Sequence, residues 1–204
     1  MELYEAISKR RTSREWLEKD VSGETIKRII GAGLKAPTHD HLRNWEFVVL
    51  KNGSEKDAAL HYVKEWAQSH SANEIATSSS PMRAMYAYAV PRQFRMLDTA
   101  PCVVIPFFKS NGGIFKAEYV NGLNAFASIW CVIENIFLSA TAEGLGCSMR
   151  IPVGEEGNAV SKAVKAPDDY IMPCYIGIGY PSDSAPELEQ HEYSAEQKIH
   201  FGNW

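Results

Sequence analysis

The sequence predicts a mixed α+β domain in which about four strands are surrounded by helices. Three observations support this class. The 204 residues suit a single domain, helical periodicity dominates the chain, and the strand-like segments are separated by unequal stretches without a regular βαβ alternation. That last feature argues against a doubly wound sheet. We therefore treat residues 1–204 as one domain.

The first part of the chain predicts three helices, a basic loop and one strand. Apolar residues on one face of residues 2–9 predict a short helix, which leads into a basic cluster. Ser22 caps a second helix with i, i+3, i+4, i+8 apolar spacing, and this helix stops before Pro37. Residues 45–50 predict a strand, and a capping-box pattern at Ser54 predicts a third helix.

The middle of the chain contains the one stretch that resembles a mobile loop. Residues 69–81 are polar and precede the aromatic-rich residues 82–90. The whole segment 69–98 is therefore predicted to be either a lid over a site or a surface excursion, and the sequence favours neither. Its last part, 92–98, predicts a short helix, and 101–108 predicts a buried strand.

The second half is dominated by a predicted helix over 118–143 that is apolar nearly all round, so it must be covered on all sides. A strand at 147–151, a helix near 155–165 and a strand at 170–179 follow. The tail 181–204 has little core-forming pattern but ends in apolar residues. We expect it to pack on the partner subunit of a homodimer.

Composition and charge limit the function classes. The chain has 21 Lys and Arg against 25 Asp and Glu, and the net charge of −4 provides no global field for nucleic acid or an anionic membrane. The apolar runs at 101–108 and 126–140 fall short of the ~20 residues that span a bilayer, and no signal-peptide core opens the chain. We expect a cytoplasmic protein. Its four cysteines are far apart and are expected to be reduced and buried.

Three motifs fail the tests for dinucleotide or metal binding. Gly144-Leu145-Gly146 and Gly177-Ile178-Gly179 do not match the dinucleotide fingerprint, since the first lacks its third glycine and the second ends a strand. His39-Asp40-His41 has no third ligand at a suitable spacing, so a polar loop is favoured there. No metal is expected.

A basic cluster remains, formed by Arg10, Arg11, Thr12, Ser13 and Arg14. Three guanidinium groups and two hydroxyls on one loop present the donors that a phosphate monoester requires. A solvated charged turn explains the same residues equally well. The cluster alone does not decide between these two interpretations.

Several segments are similar, in the same order, to those of one known family. Residues 7–16 resemble the Arg-Arg-Ser-x-Arg-x-Phe opening of the FMN-dependent nitroreductase family, and residues 36–49 resemble its Ala-Pro-Ser-x-x-Asn-x-Gln-Pro-Trp-x-Phe segment. Shorter matches follow at Met96-Leu97-Asp98, Glu134-Asn135, Gly144-Leu145-Gly146, residues 176–181 and Ile199-His200-Phe201. Together the matches cover nearly the whole chain.

The resemblance implies an FMN site. Carried over by position, the residues that would hold the phosphate are Arg10, Thr12 and Arg14, with Arg11 nearby. The Ala-Pro segment would lie along the flavin and contribute, from one subunit or the other, Pro37, Thr38, His39, His41 and Arg43. Backbone at Cys147, Ser148 and Met149 would face the ring near N5, and Arg95 would approach its pyrimidine edge.

The sequence departs from the family pattern around the ring and in the tail. His41, Arg43 and Asn44 stand where the family has Asn, Gln and Pro. The family often has a basic residue near the C-terminus that helps to hold the phosphate, whereas Glu192 lies in that part of this tail. The flavin surroundings are therefore expected to differ from those of a standard nitroreductase.

The function implied is a homodimeric FMN oxidoreductase. NADH or NADPH would deliver two electrons to the flavin, and a nitroaromatic, a quinone or a similar small acceptor would then collect them. No side chain is assigned as a general acid. His41 is a candidate, and its alternative role is a hydrogen bond that fixes the loop. Two other functions stay open: storage or sensing of FMN without turnover, and another flavin reaction such as dehalogenation or flavin breakdown.

Overall fold

The computed structural model describes residues 1–69, 88–110, 114–184 and 193–204. Its α-helices are Leu3–Lys9 (α1), Gly23–Gly33 (α2), Ser54–Ser69 (α3), Gln93–Asp98 (α4), Asn124–Ala142 (α5) and Glu156–Ala163 (α6). Its strands are Trp45–Leu50 (β1), Cys102–Lys109 (β2), Gly146–Arg150 (β3), Tyr170–Ile171 (β4) and Tyr175–Gly179 (β5). Residues 70–87, most of the predicted lid, lie outside the described residues, and so does Glu192.

The strands form one antiparallel sheet in the order β1-β2-β5-β3, with β4 also paired to β2. The predicted α+β class is confirmed, and every strand pair of the sheet is antiparallel. The single strand expected at 170–179 is divided into β4 and β5, and Pro173 lies between them. A proline has no N–H to donate to a ladder, so the pairing with β2 is interrupted there. The sheet therefore has five strands.

The core lies on both faces of the sheet because the side chains of β2 alternate between them. Cys102, Val104 and Phe108 belong to the layer that α2 and α5 cover. Val103, Ile105 and Phe107 belong to the layer that α3, α4 and α6 cover. All residues of β2 except Lys109 are buried, which explains why its sequence is a continuous apolar run.

The long helix α5 packs on α2 and exposes one stripe. Gly33 of α2 allows the close approach, since a Cβ there would lie 2.9 Å from Ile136 Cγ1. The exposed stripe contains Ala127, Cys131 and Glu134, so the expectation that all four cysteines are buried is wrong for Cys131. The other three cysteines are buried because their side chains point into the core.

One described helix, Val120–Ala142, is long and apolar enough to cross a membrane by length and composition alone. The expectation that no segment reaches this length is therefore wrong, because a turn of 3-10 helix at Val120–Leu123 continues directly into α5. The core helix of a soluble protein meets the same criterion. Ile129, Val132 and Ile136 are fully buried, as the inner face of a core helix requires.

The two ends of the chain expose large apolar side chains. In α1, Leu3 is 61 % exposed and Tyr4 is 84 % exposed. In the described part of the tail, residues 193–204, Phe201 is 93 % exposed and Trp204 is fully exposed. Packing of the tail on a partner subunit stays a prediction.

Candidate functional site

The basic segment at residues 10–14 lies along the free edge of β3. Ser13 N–H donates to the carbonyl oxygen of Cys147 at 2.9 Å, and Thr12 forms a parallel bridge with the same residue. Leu17 N–H donates to Tyr180 O at 2.9 Å and holds the other end of the segment. The backbone of this basic segment is therefore held against the sheet by hydrogen bonds, which a solvated turn would lack.

The Gly144-Leu145-Gly146 motif allows the basic segment to lie close to β3. This packing role explains the two glycines without a bound dinucleotide. Gly144 has a φ of 77°, in the region that favours glycine, and ends the turn after α5. A Cβ on Gly146 would collide with the buried Ser13 side chain and would lie 2.9 Å from Pro181. Both glycines are therefore needed to bring the segment onto β3.

A cavity of about 300 Å³ opens where this segment meets β3 and α5. Six of its lining residues are site residues predicted from the sequence: Arg10, Arg11, Thr12, Cys147, Ser148 and Met149. The other two are Glu134 and Phe137, one turn apart on α5, and sequence reasoning missed them as site residues. Glu134 carries a signal that could have found it, because it is the only charged residue of α5.

The positive charge of this cavity is not neutralised by an ion pair. Arg10 is half-buried, and no carboxylate of the described residues lies within 4.0 Å of its guanidinium group. Arg11 donates to Ser8 O at 2.5 Å and to Arg10 O at 2.9 Å, which keeps its side chain near the end of α1. Burial raises the pKa of the Cys147 thiol well above its usual value, so this side chain is neutral.

β3 offers backbone polar groups to the cavity. The Ser148 hydroxyl is buried without a hydrogen-bond partner among the described residues, but it lies beside Gly177 and Ala100 on the opposite face of the sheet. Along an antiparallel strand, alternate residues direct their N–H and C=O to the same side. Cys147 directs its carbonyl to Ser13, so Met149, two residues further on, also directs its backbone groups to the free edge.

Arg14 and Arg95 lie elsewhere. They line a larger cavity of about 900 Å³, together with Trp16, Lys19 and Lys51. Loss of water lowers the pKa of the half-buried Arg14, with a smaller contribution in the same direction from the like charge of Arg92. Arg95 is exposed, and no ion pair with Asp98 is formed in the described residues.

The loop at residues 37–43 lies at the start of α5. His39 N–H donates to Ser128 Oγ at 3.2 Å, and Asn124 Nδ2 lies 3.2 Å from His39 Nδ1. Since a helix rises 1.5 Å per residue, Glu134 is about 15 Å further along the axis than Asn124. None of the loop residues Pro37, Thr38, His39, His41 and Arg43 lines the cavity of Arg10 within one chain.

The loop is shaped by backbone conformation. Asp40, His41 and Arg43 all have positive φ, which is uncommon for residues other than glycine. His39 Nε2 lies 3.0 Å from Asp40 Oδ2, and His41 is exposed. In the described part of the chain, no three His, Cys, Asp or Glu residues are placed to hold a metal ion.

A second arginine site lies at the other end of β3. Arg150 is 2 % exposed and pairs with Glu156, which is 3 % exposed, through contacts of 3.1 Å and 2.7 Å. Its guanidinium group also donates to Gln93 and lies 4.7 Å from the ring of Trp66. This cluster joins β3 to α3, α4 and α6.

Comparison with known proteins identifies the family. Residues 7–180 match the sequence profile of the Nitroreductase family. The chain belongs to the nitroreductase family. The match covers the basic segment, the loop at 37–43, α5 and β3, so all the site residues predicted from the sequence are part of the family domain.

Individual relatives are similar to this chain in sequence, in structure or in both. Iodotyrosine deiodinase 1 of Rattus norvegicus is 26 % identical over 203 residues, which cover 93 % of this chain and 66 % of the deiodinase, just under two thirds of its length. The solved FMN and NADPH-dependent nitroreductase NfnB from sphigopyxis sp. strain HMH superposes with a TM-score of 0.78 at 16 % identity, with full coverage of both chains. An iodotyrosine deiodinase solved with FMN and 3-iodo-L-tyrosine superposes with a TM-score of 0.75 at 17 % identity, again with full coverage.

Proposed function

We propose that this nitroreductase-family protein is an FMN-dependent oxidoreductase that uses NADH or NADPH as reductant. The observation that carries the proposal is the cavity in which unpaired guanidinium groups and the Thr12 hydroxyl meet the free edge of β3. A phosphate monoester needs a cationic site with several donors, and Arg10, Arg11 and Thr12 supply them. Members of the family solved with FMN, or named as FMN-dependent, support the same assignment.

The residues present fit a flavin as well as its phosphate. Phe137 provides an apolar wall, and Met149 directs backbone groups to the open edge. Bound FMN would supply the two-electron redox chemistry, whereas the protein orients the reactants and excludes water. No side chain is proposed as a general acid, although His41 stays a candidate.

The kinetic consequence is an alternating mechanism in which reductant and acceptor use the same face of the flavin. Double-reciprocal plots at several acceptor concentrations, with a nitroaromatic or a quinone as acceptor, should therefore be parallel. Intersecting lines would contradict the shared site. A protein that binds FMN but is not reduced by NADH or NADPH would instead favour storage or sensing.

We also propose that the active unit is a homodimer with two identical sites. The exposed apolar residues of α1 and of the tail need a cover, and the loop at 37–43 is separated from the cavity of its own chain along α5. A partner subunit would cover these apolar residues, and its own loop at 37–43 would complete the cavity. Analytical ultracentrifugation at micromolar concentration should show twice the 22.8 kDa chain mass. A monomer that retains FMN would contradict the proposal.

Reductive dehalogenation is a second candidate. Its support is that iodotyrosine deiodinases of several species are among the similar proteins, at 23–26 % identity. The two reactions share the flavin site and differ in the acceptor. Incubation of the reduced protein with 3-iodo-L-tyrosine, followed by measurement of released iodide, separates them. Release at a rate comparable to that of nitroaromatic reduction would favour the dehalogenase.

A further inference from the structure

Glu134 is the single charged residue of the 19-residue helix α5, and it lies in the cavity that Arg10 and Arg11 line. It shares the exposed stripe of the helix with Ala127 and Cys131. A charged residue is ordinary on an exposed stripe. What gives this carboxylate a consequence for a ligand is its place in the cavity beside two arginines.

The carboxylate does not neutralise either arginine by direct contact. No cation of the described residues lies within 4.0 Å of the Glu134 carboxylate, so Glu134 forms no ion pair there. Both Arg10 and Glu134 are nevertheless close enough to affect the same buried thiol. Apart from the dominant effect of burial, Arg10 lowers and Glu134 raises the pKa of Cys147.

The charge in the cavity is therefore mixed. Arg10 and Arg11 contribute two positive charges and Glu134 one negative charge, so the net charge of the lining is 2 − 1 = +1. A phosphate monoester carries close to two negative charges at neutral pH. A carboxylate in the same cavity opposes this ligand, because like charges repel and the effect is larger away from bulk water.

We propose that Glu134 is a specificity-determining residue that weakens the preference of the cavity for a phosphorylated flavin over an uncharged one. The inference rests on the proposed FMN function. Riboflavin has no phosphate and should not sense this charge, whereas FMN should. The carboxylate thereby makes the bound FMN more readily exchangeable than two unopposed arginines would.

The test compares the affinities of FMN and riboflavin in the parent and in Glu134→Gln, measured by quenching of flavin fluorescence. Loss of the charge should tighten FMN binding by about three- to thirtyfold, while riboflavin binding changes by less than about twofold. The salt dependence of FMN binding should become steeper, because the net positive charge rises.

Two control variants isolate the position and the charge. Glu134→Asp keeps the charge and should retain the parent ratio of FMN to riboflavin affinity. Glu143→Gln removes a carboxylate that pairs with Arg28 at 2.8 Å outside the cavity, so it should also leave the ratio unchanged. Thermal unfolding of each variant shows that the fold is retained.

The outcomes separate this inference from the proposed function. An unchanged affinity ratio in Glu134→Gln overturns the inference and leaves the FMN function standing. Weaker FMN binding in a folded Glu134→Gln also overturns it, since the carboxylate would then orient Arg10. A parent protein that binds neither flavin overturns both. A raised ratio in Glu134→Gln but not in the two controls is the result that the proposal predicts.

Discussion

Arg150 and Arg10 lie beside the same strand but in opposite environments. Arg150 ends β3, is 2 % exposed and is bound by Glu156, Gln93 and the ring of Trp66. Arg10 belongs to the segment that bridges β3 at Cys147, is half-buried in a cavity wall and has no carboxylate within 4.0 Å among the described residues. The first guanidinium group has partners within the protein, whereas the second lines a cavity without an ion pair among the described residues.

This difference suggests how structural and ligand-binding arginines can be told apart in the family. A buried ion pair stabilises little relative to apolar residues of the same shape, but it is costly to break. An unpaired guanidinium group in a cavity contributes to folding hardly at all and gains its partner only when the ligand binds. Substitutions at the two sites should therefore affect different measurements.

The largest effect is expected at the paired arginine. Arg150→Ala leaves the Glu156 carboxylate buried without its cationic partner and should lower the free energy of unfolding by about 3–5 kcal/mol. Urea unfolding measures the change. The double variant Arg150→Met/Glu156→Leu, which removes both charges and keeps the volume, should regain most of the loss. If the single variant is as stable as the parent, the pair has no structural role.

A smaller effect, on binding alone, is expected at the unpaired arginines. Arg10→Ala removes a charge-assisted hydrogen bond of about 1.5–3 kcal/mol, so FMN binding should weaken about ten- to a hundredfold with unchanged unfolding. Arg14→Ala should weaken FMN binding less, because Arg14 lines the other cavity. Fluorescence titration with FMN measures both. Parent-like affinity in the two variants would show that the phosphate lies elsewhere.

The fold could be predicted from the sequence where local signals and burial agree. β1 begins and ends where its apolar pattern does, and α2 begins after Ser22, whose side chain accepts a hydrogen bond from Thr25 N at 3.1 Å. The break between β4 and β5 was missed because a proline inside an apolar run weakens a pattern without erasing it. The exposed position of Cys131 was missed because helix periodicity shows which residues are apolar, while the neighbours decide which face is covered.

The sequence indicated which residues could bind a phosphate or a flavin, but not which of them share a cavity. The donors at 10–14 and the residues after Gly146 were found from the sequence, and the structure brings six of these residues into one cavity. Arg14 and Arg95 were expected in the same site and line a different cavity. Spacing along the chain does not show that the segment is bound to Cys147 at Thr12 and Ser13, between Arg10 and Arg14.

The smallest effect is expected at Arg95, which is predicted to lie near the flavin pyrimidine. Reduction places negative charge on that edge of the ring. A charge about 4 Å away at an effective dielectric constant of about 20 contributes on the order of 4 kcal/mol before screening, and an exposed side chain retains only a fraction of it. Arg95→Gln should lower the flavin midpoint potential, measured by redox titration. An unchanged potential would place Arg95 outside the flavin site.

The comparison of FMN with riboflavin in the parent protein tests most directly whether the unpaired arginines beside β3 form a phosphate site. Equilibrium titration, with inorganic phosphate as a competitor, needs no variant. We predict that FMN binds at least about tenfold tighter than riboflavin, as one charge-assisted hydrogen bond already requires, and that phosphate competes with FMN but not with riboflavin. Equal affinity for the two flavins, with no competition by phosphate, would contradict the assignment of Arg10, Arg11 and Thr12 to the phosphate.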